Sequence, residues 1–148
     1  MDPAQRQRFG QHSISHEGND IVIVTLCGDV SAAEMTAALA ADTENFRRNG
    51  YALFLIDGRS LGTISPEARR VCHQILNETW PYNGPYVGSI AIFGLNRAMQ
   101  VLLLLLVRAI ELVRPHNRQV SFMSDGAAAR KWLSEQRAQY RAGDKENR

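Results

Sequence analysis

Residues 21–58 read IVIVTLCGDVSAAEMTAALAADTENFRRNGYALFLIDG, and the fold is decided there. Ile21 to Cys27 is a β-branched, strand-like run. Gly28-Asp29-Val30-Ser31 ends it, and Ser31 with Glu34 three places on makes a capping box, a helix start signal. Met35, Leu39 and Phe46 recur at helical spacing until Asn49-Gly50 stops the helix. Tyr51 to Ile56 is then apolar without a break, as in a strand buried on both faces, and Asp57-Gly58 closes it. Strand, helix and strand in this order predict a parallel pair with a right-handed crossover.

The pattern continues outward. His12-Ser13-Ile14-Ser15-His16 alternates weakly, and Gly18-Asn19-Asp20 is a turn, so a hairpin opens the sheet. After a short loop, Ser65-Pro66-Glu67 starts a second helix, with Ala68, Val71, Cys72, Ile75 and Leu76 as its apolar face. Trp80 to Tyr86 reads as loop, because two prolines and a glycine forbid regular structure. Val87 to Phe93 is a strand, Leu95 to Val113 a helix stopped by Pro115, and Gln119 to Met123 a strand. Asp125 caps a last helix carrying Ala129, Trp132 and Leu133. The expected fold is α/β: one domain with a five-stranded mixed sheet and four helices, in the order β-β-α-β-α-β-α-β-α. Residues 1–10 are expected as a flexible tail, 11–140 as the domain and 141–148 as a polar tail.

The chain has 148 residues, 45% of them hydrophobic and 22% charged, which is ordinary for a globular protein and excludes wholesale disorder. A net charge of +2 gives no reason to expect nucleic acid. The charge is uneven, however: residues 1–96 hold 7 basic and 10 acidic side chains, and residues 97–148 hold 10 and 5. Cys27 and Cys72 match no zinc spacing and are expected as buried small hydrophobes in a reducing, cytoplasmic compartment. No secretory leader is expected from residues 1–13, and the apolar run Val101 to Val107 falls far short of the roughly 20 residues of a membrane span.

The stretches Ile21 to Val30, Leu55-Ile56-Asp57 with Ile64-Ser65-Pro66-Glu67-Ala68, Ile92-Phe93-Gly94, and Ala129-Arg130-Lys131-Trp132-Leu133 carry a resemblance. Over roughly residues 12–135 the chain resembles the STAS fold of bacterial anti-sigma-factor antagonists. More closely, it is similar to small bacterial STAS-like or CRAL-TRIO-like proteins of unknown function. The resemblance implies a regulatory protein that binds a partner or an apolar ligand, or else a lipid-binding or membrane-surface module. Antagonists of this kind carry a phosphoacceptor serine at the start of a helix. Here that position falls on Pro66, which has no hydroxyl, and Ser65 one place earlier reads as a helix cap.

Ligands of open parallel sheets bind outside the carboxyl ends of the strands. Those ends supply the candidate ligand-binding residues Asp29, Asp57, Arg59, Ser60, Asn96 and Arg97, with the arginines as anion donors. The competing reading is that the aspartates cap or brace loops, as such residues do at most strand–helix junctions. A receiver-like phosphoacceptor role for Asp57 lacks the acid pair after the first strand and the lysine after the last. His12 and His16, at even separation, could form half of a metal site, but no third ligand is indicated and they read first as polar edge-strand residues; His73 lies beside an apolar helix face, and His116 sits in a loop. No Gly-rich phosphate loop, HExxH or GxSxG occurs, so a non-catalytic role without metal or cofactor is expected. A small enzyme working at the strand ends, perhaps through Asp57, is the remaining alternative.

The third helix carries the strongest signal. Met99, Leu102, Leu103, Leu106, Ile110 and Val113 form one stripe, expected to face the sheet. Val101, Leu104, Leu105 and Leu112 lie on the other side, beside Arg97 and Arg108. A helix apolar nearly all round needs a second cover. A homodimer through Val101, Leu104, Leu105, Arg108 and Leu112 is expected first, with the chain's own tail, another protein or an anionic lipid surface as alternatives.

Overall fold

The computed structural model describes residues 6–78, 87–113 and 117–146. The expected loop at 80–86, His116 and the Pro115 helix stop lie outside them. The elements are β1 (Gln7–Phe9), β2 (His12–Glu17), β3 (Ile21–Val30), α1 (Ala32–Asn49), β4 (Ala52–Ile64), α2 (Pro66–Asn77), β5 (Val87–Phe93), α3 (Arg97–Val113), β6 (Asn117–Met123) and α4 (Gly126–Glu146). The sheet therefore has six strands rather than five. The extra strand, β1, pairs antiparallel with β2 through a two-residue turn at Gly10-Gln11. Three residues are too few to show an alternating pattern, which is why the sequence hid them among the first ten.

The strands lie in chain order, β1 to β6. The first three are antiparallel and β3 to β6 are parallel. Three successive right-handed crossovers stepping in one direction put their helices on one face of the sheet. Val22, Val24 and Phe54 face this α1–α2–α3 layer, and Ile21, Leu53, Leu55 and Ala91 face the opposite way, onto Ala129 and Leu133 of α4.

Local signals set the helix ends. Ser31 Oγ accepts the Glu34 amide at 3.3 Å, Glu34 Oε1 accepts the Ser31 amide at 3.2 Å, and Gly50 closes α1 in the left-handed region. Ser65 Oγ accepts the Ala68 amide at 3.0 Å, with Pro66 in the first turn. Asp125 Oδ1 accepts the Ala128 amide at 2.8 Å.

Two expectations are corrected along the chain. β4 does not close at Asp57-Gly58 but runs to Ile64, staying in register with β3 as far as the Val30–Ile64 pair through two irregularities. No loop precedes α2. In α3, Ile110 is buried as expected, but Val113 is 62% exposed, because the last turn runs past the edge of the packed layer.

Asp20, 2% exposed, locks α4 to the β2–β3 turn. Its carboxylate accepts a two-pronged bond from Arg137 at 2.6 and 2.8 Å and a third from the Tyr51 hydroxyl at 2.8 Å. Nearby, Ser89, buried in β5, bonds Gln136 and Tyr140 of α4. Breaking a buried pair strands the remaining charge. Asp20→Asn is expected to cost about 2–4 kcal/mol in urea unfolding, below the full burial penalty because Arg137 keeps partial access to water.

Candidate functional site: an apolar chamber and a polar groove

Between the sheet and the three-helix layer lies a chamber of about 150 Å³. Its floor is Val24, Leu26, Phe54, Ile56, Ile90, Ile92 and Val120, and its roof is Met35, Ala38 and Leu39 of α1, Cys72 and Leu76 of α2, and Leu103, Leu106 and Ile110 of α3. The strand residues reach it because every second side chain of a strand points to the same face. The chamber stays open because α3 contributes a single buried residue, Ile110. Leu103 and Leu106 are only partly buried and look onto the space rather than filling it.

Three charged side chains join this lining: Glu34 at the start of α1, and Asp42 and Arg118 near Cys72. Burial pushes the Cys72 thiol up to about 11, and the Arg118 charge offsets only part of this. Burial therefore disfavours the thiolate of Cys72, the form in which a cysteine acts as a nucleophile.

Glu34 is also half of a contact that the sequence did not announce. His12, 1% exposed, accepts the Cys27 amide on Nδ1 at 2.9 Å, so its ring proton sits on Nε2. That nitrogen donates to the Glu34 carboxylate and lies 3.1 Å from the Asp29 carbonyl oxygen. The first hairpin is thus latched to the start of α1. Gly10 (φ 61°) passes so close to Glu34 that a Cβ there would collide with the carboxylate. Partial burial raises the Glu34 pKa, but the two Ser31 bonds and the His12 contact outweigh it and leave the group below its ordinary value.

The six residues expected to share a polar pocket are not tied into one hydrogen-bonded set. Asp29 Oδ1 accepts the amide and hydroxyl of Thr63 at 2.8 and 3.0 Å, holding the far ends of β3 and β4 together. Asp57 is held by Arg59, whose guanidinium donates at 3.0 and 2.8 Å and whose backbone amide donates at 3.1 Å. The same guanidinium lies over the Phe93 ring, 5.4 Å from its centroid. Asn96 accepts the Met99 amide at 2.9 Å and caps α3, and Arg97 is exposed in the first turn of that helix. Ser60 lines a separate polar groove of about 420 Å³ with Arg6, Arg8, Gln11, Thr25 and Cys27. Only Asp57 and Arg59 of the six are brought together by a direct bond. Cys27, expected inside, is exposed: the register shift between Thr25 and Cys27 sets it opposite Ser60, on the wall of the groove.

Of the expected interface, Val101 is 53%, Leu104 39%, Leu105 61% and Leu112 87% exposed, and Arg108 is exposed among them. His16 is exposed too, and among the described residues no three His, Cys, Asp or Glu side chains gather as a metal would need. No helix among the described residues is long and apolar enough to cross a membrane.

Asp57 makes a pH prediction. The Arg59 bonds lower its pKa from 3.8 against the opposing effect of burial. A carboxylate with a depressed folded-state pKa stabilises the fold above the unfolded value, and that contribution is lost as pH falls through the folded one. Stability of the wild type is expected to drop on acidification below about pH 4 more steeply than that of Asp57→Asn, followed by urea midpoints across pH.

No protein-family model and no curated protein sequence matches the chain. Solved structures do. The anti-sigma-factor antagonist SpoIIAA, in its unphosphorylated form, superposes with a TM-score of 0.53 at 8% identity, covering 85% of this chain and 97% of that one. An uncharacterised DUF3478-family protein of Shewanella loihica PV-4, described as having a SpoIIAA-like fold, covers 86% of this chain and 98% of its own at 18% identity and a TM-score of 0.49. With strands β3 to β6 parallel, α1 to α3 on one face and this likeness to SpoIIAA, the chain has a STAS-like fold.

Proposed function

We propose that this chain is a STAS-like binding protein with a regulatory role, and that it takes a small apolar molecule, or the apolar part of a larger one, into the chamber beneath α3. The chamber itself is the observation that carries this reading. A void of about 150 Å³ costs on the order of 3–4 kcal/mol if left empty. Apolar cavities of about this size take up benzene. The same magnitude separates two readings. A single ring or short alkyl chain fits the chamber as it stands, whereas a whole lipid of the CRAL-TRIO kind requires α3 to lift. The likeness in fold to an anti-sigma-factor antagonist supports a protein partner as the recipient of the signal, and the lining chemistry supports binding rather than catalysis.

Benzene or a short alkanol is expected to raise the thermal midpoint, since a ligand at about a hundred times its dissociation constant adds roughly 2.7 kcal/mol to stability. Ala38→Leu, which pushes three carbons into the chamber, is expected to stabilise the free protein by about 1–2 kcal/mol and to weaken binding about tenfold. An unchanged ligand affinity in that variant places the ligand elsewhere and removes the reading.

The outer face of α3 supports a second statement, that the protein is a homodimer. Val101, Leu105, Arg108 and Leu112 follow one another at intervals of four, three and four, the spacing of a helix–helix seam. Apolar side chains this exposed invite association, and a two-fold contact lets one patch serve both copies. Sedimentation velocity is expected to show a dimer for the wild type and a folded monomer for Leu105→Glu. A wild type that stays monomeric at all concentrations excludes the dimer, and binding of that monomer to anionic vesicles would assign the face to membrane instead.

A further inference from the structure

We propose that the polar groove at the hairpin end of the sheet binds the phosphate group of a small phosphorylated molecule. The register puts Arg8 opposite Ser13 and Ser13 opposite Thr25, so these three side chains stand in one row across β1, β2 and β3. The row continues through Asp57 and Phe93 to Met123, and the last two pack against the α4 core, which places the row on the α4 face of the sheet. Arg6 closes the groove from the side, its Nε donating to Ser13 Oγ at 3.0 Å and its remaining guanidinium N–H groups left for a ligand. Thr25 and Ser60 add hydroxyls on the β3 and β4 walls.

What the groove lacks also selects an anion. Among the described residues, no carboxylate lines it. Two acids of the described residues that stand close by are committed: Asp57, next in the row, is paired with Arg59, and Glu34, behind the buried His12 ring, is tied to that ring. Two guanidiniums and several hydroxyls lining one groove match the oxygens of a phosphate dianion. The volume, about 420 Å³, is that of a small-molecule site and accommodates a phosphate together with a sugar or nucleoside. This inference does not depend on the chamber, which lies across the sheet.

Amide NMR of the full chain, titrated with AMP, adenosine and inorganic phosphate, tests it. AMP is expected to shift the amides of residues 6–13 and 25–27 and to bind about tenfold tighter than adenosine, with affinity falling as salt rises. Arg6→Gln and Arg8→Gln, both on exposed side chains, are each expected to weaken AMP about fivefold while the rest of the spectrum superposes. Inorganic phosphate shifting the same amides as tightly as AMP supports the phosphate site and assigns it to free phosphate rather than an ester. Equal affinity for AMP and adenosine, unchanged AMP affinity in both variants, or no movement of these amides with AMP or phosphate at millimolar concentration overturns the proposal.

Discussion

The β3–β4 ladder is the constraint on which the other elements depend. It runs from the Ile21–Leu53 pair to the Val30–Ile64 pair, and its two strands bury Val22, Val24, Ala52, Leu53 and Leu55 almost completely. Strands buried on both faces must be covered on both faces, since each exposed aliphatic side chain would forfeit about 1.5–3 kcal/mol. The crossover helices cover one side by chirality and α4 returns over the other. The register irregularities near Cys27 and Asp29 are accommodated by polar contacts, including the Cys27 amide to His12 and Asp29 to Thr63.

The chamber follows from an imbalance in that cover. α1 and α2 pack against each other and against the middle of the sheet, whereas α3 reaches the buried core through Ile110 alone. A helix so rich in leucine satisfies neither side fully: its inner stripe borders a void and its outer stripe meets water. Both features are costly in an isolated monomer. A ligand inside and a second copy outside would relieve them together, and occupancy of the chamber would then shift the position of α3 and the face it presents. On the proposed reading, that coupling is what would carry a regulatory role.

Much of the fold was legible because its signals are local. Ser31 with Glu34, Ser65 with Pro66, and Asp125 each mark a helix start through atoms within a few residues, and the structure keeps all three. The α3 periodicity likewise identified Ile110 as inward and Leu105 and Leu112 as outward. What was not legible depends on contacts distant in sequence. β1 is too short to announce itself, and β4 continues past Asp57-Gly58 because β3 lies beside it. His12 reads as an edge-strand residue until Glu34, 22 positions away, is seen beneath it. The residues expected in one pocket instead make separate bonds, near and distant. Asp57 and Arg59 satisfy each other locally, and the groove is lined instead by residues that include Arg6 and Arg8, in the stretch expected as a flexible tail.

The most direct test of the central claim is intermolecular NOE spectroscopy on methyl-labelled protein with benzene. NOEs are expected from benzene to the methyl groups of Ile90, Ile92, Leu106 and Ile110, which line the chamber from both layers. Benzene that shows NOEs only to Leu105 and Leu112 on the outer face, or to no methyl group at all, would contradict it.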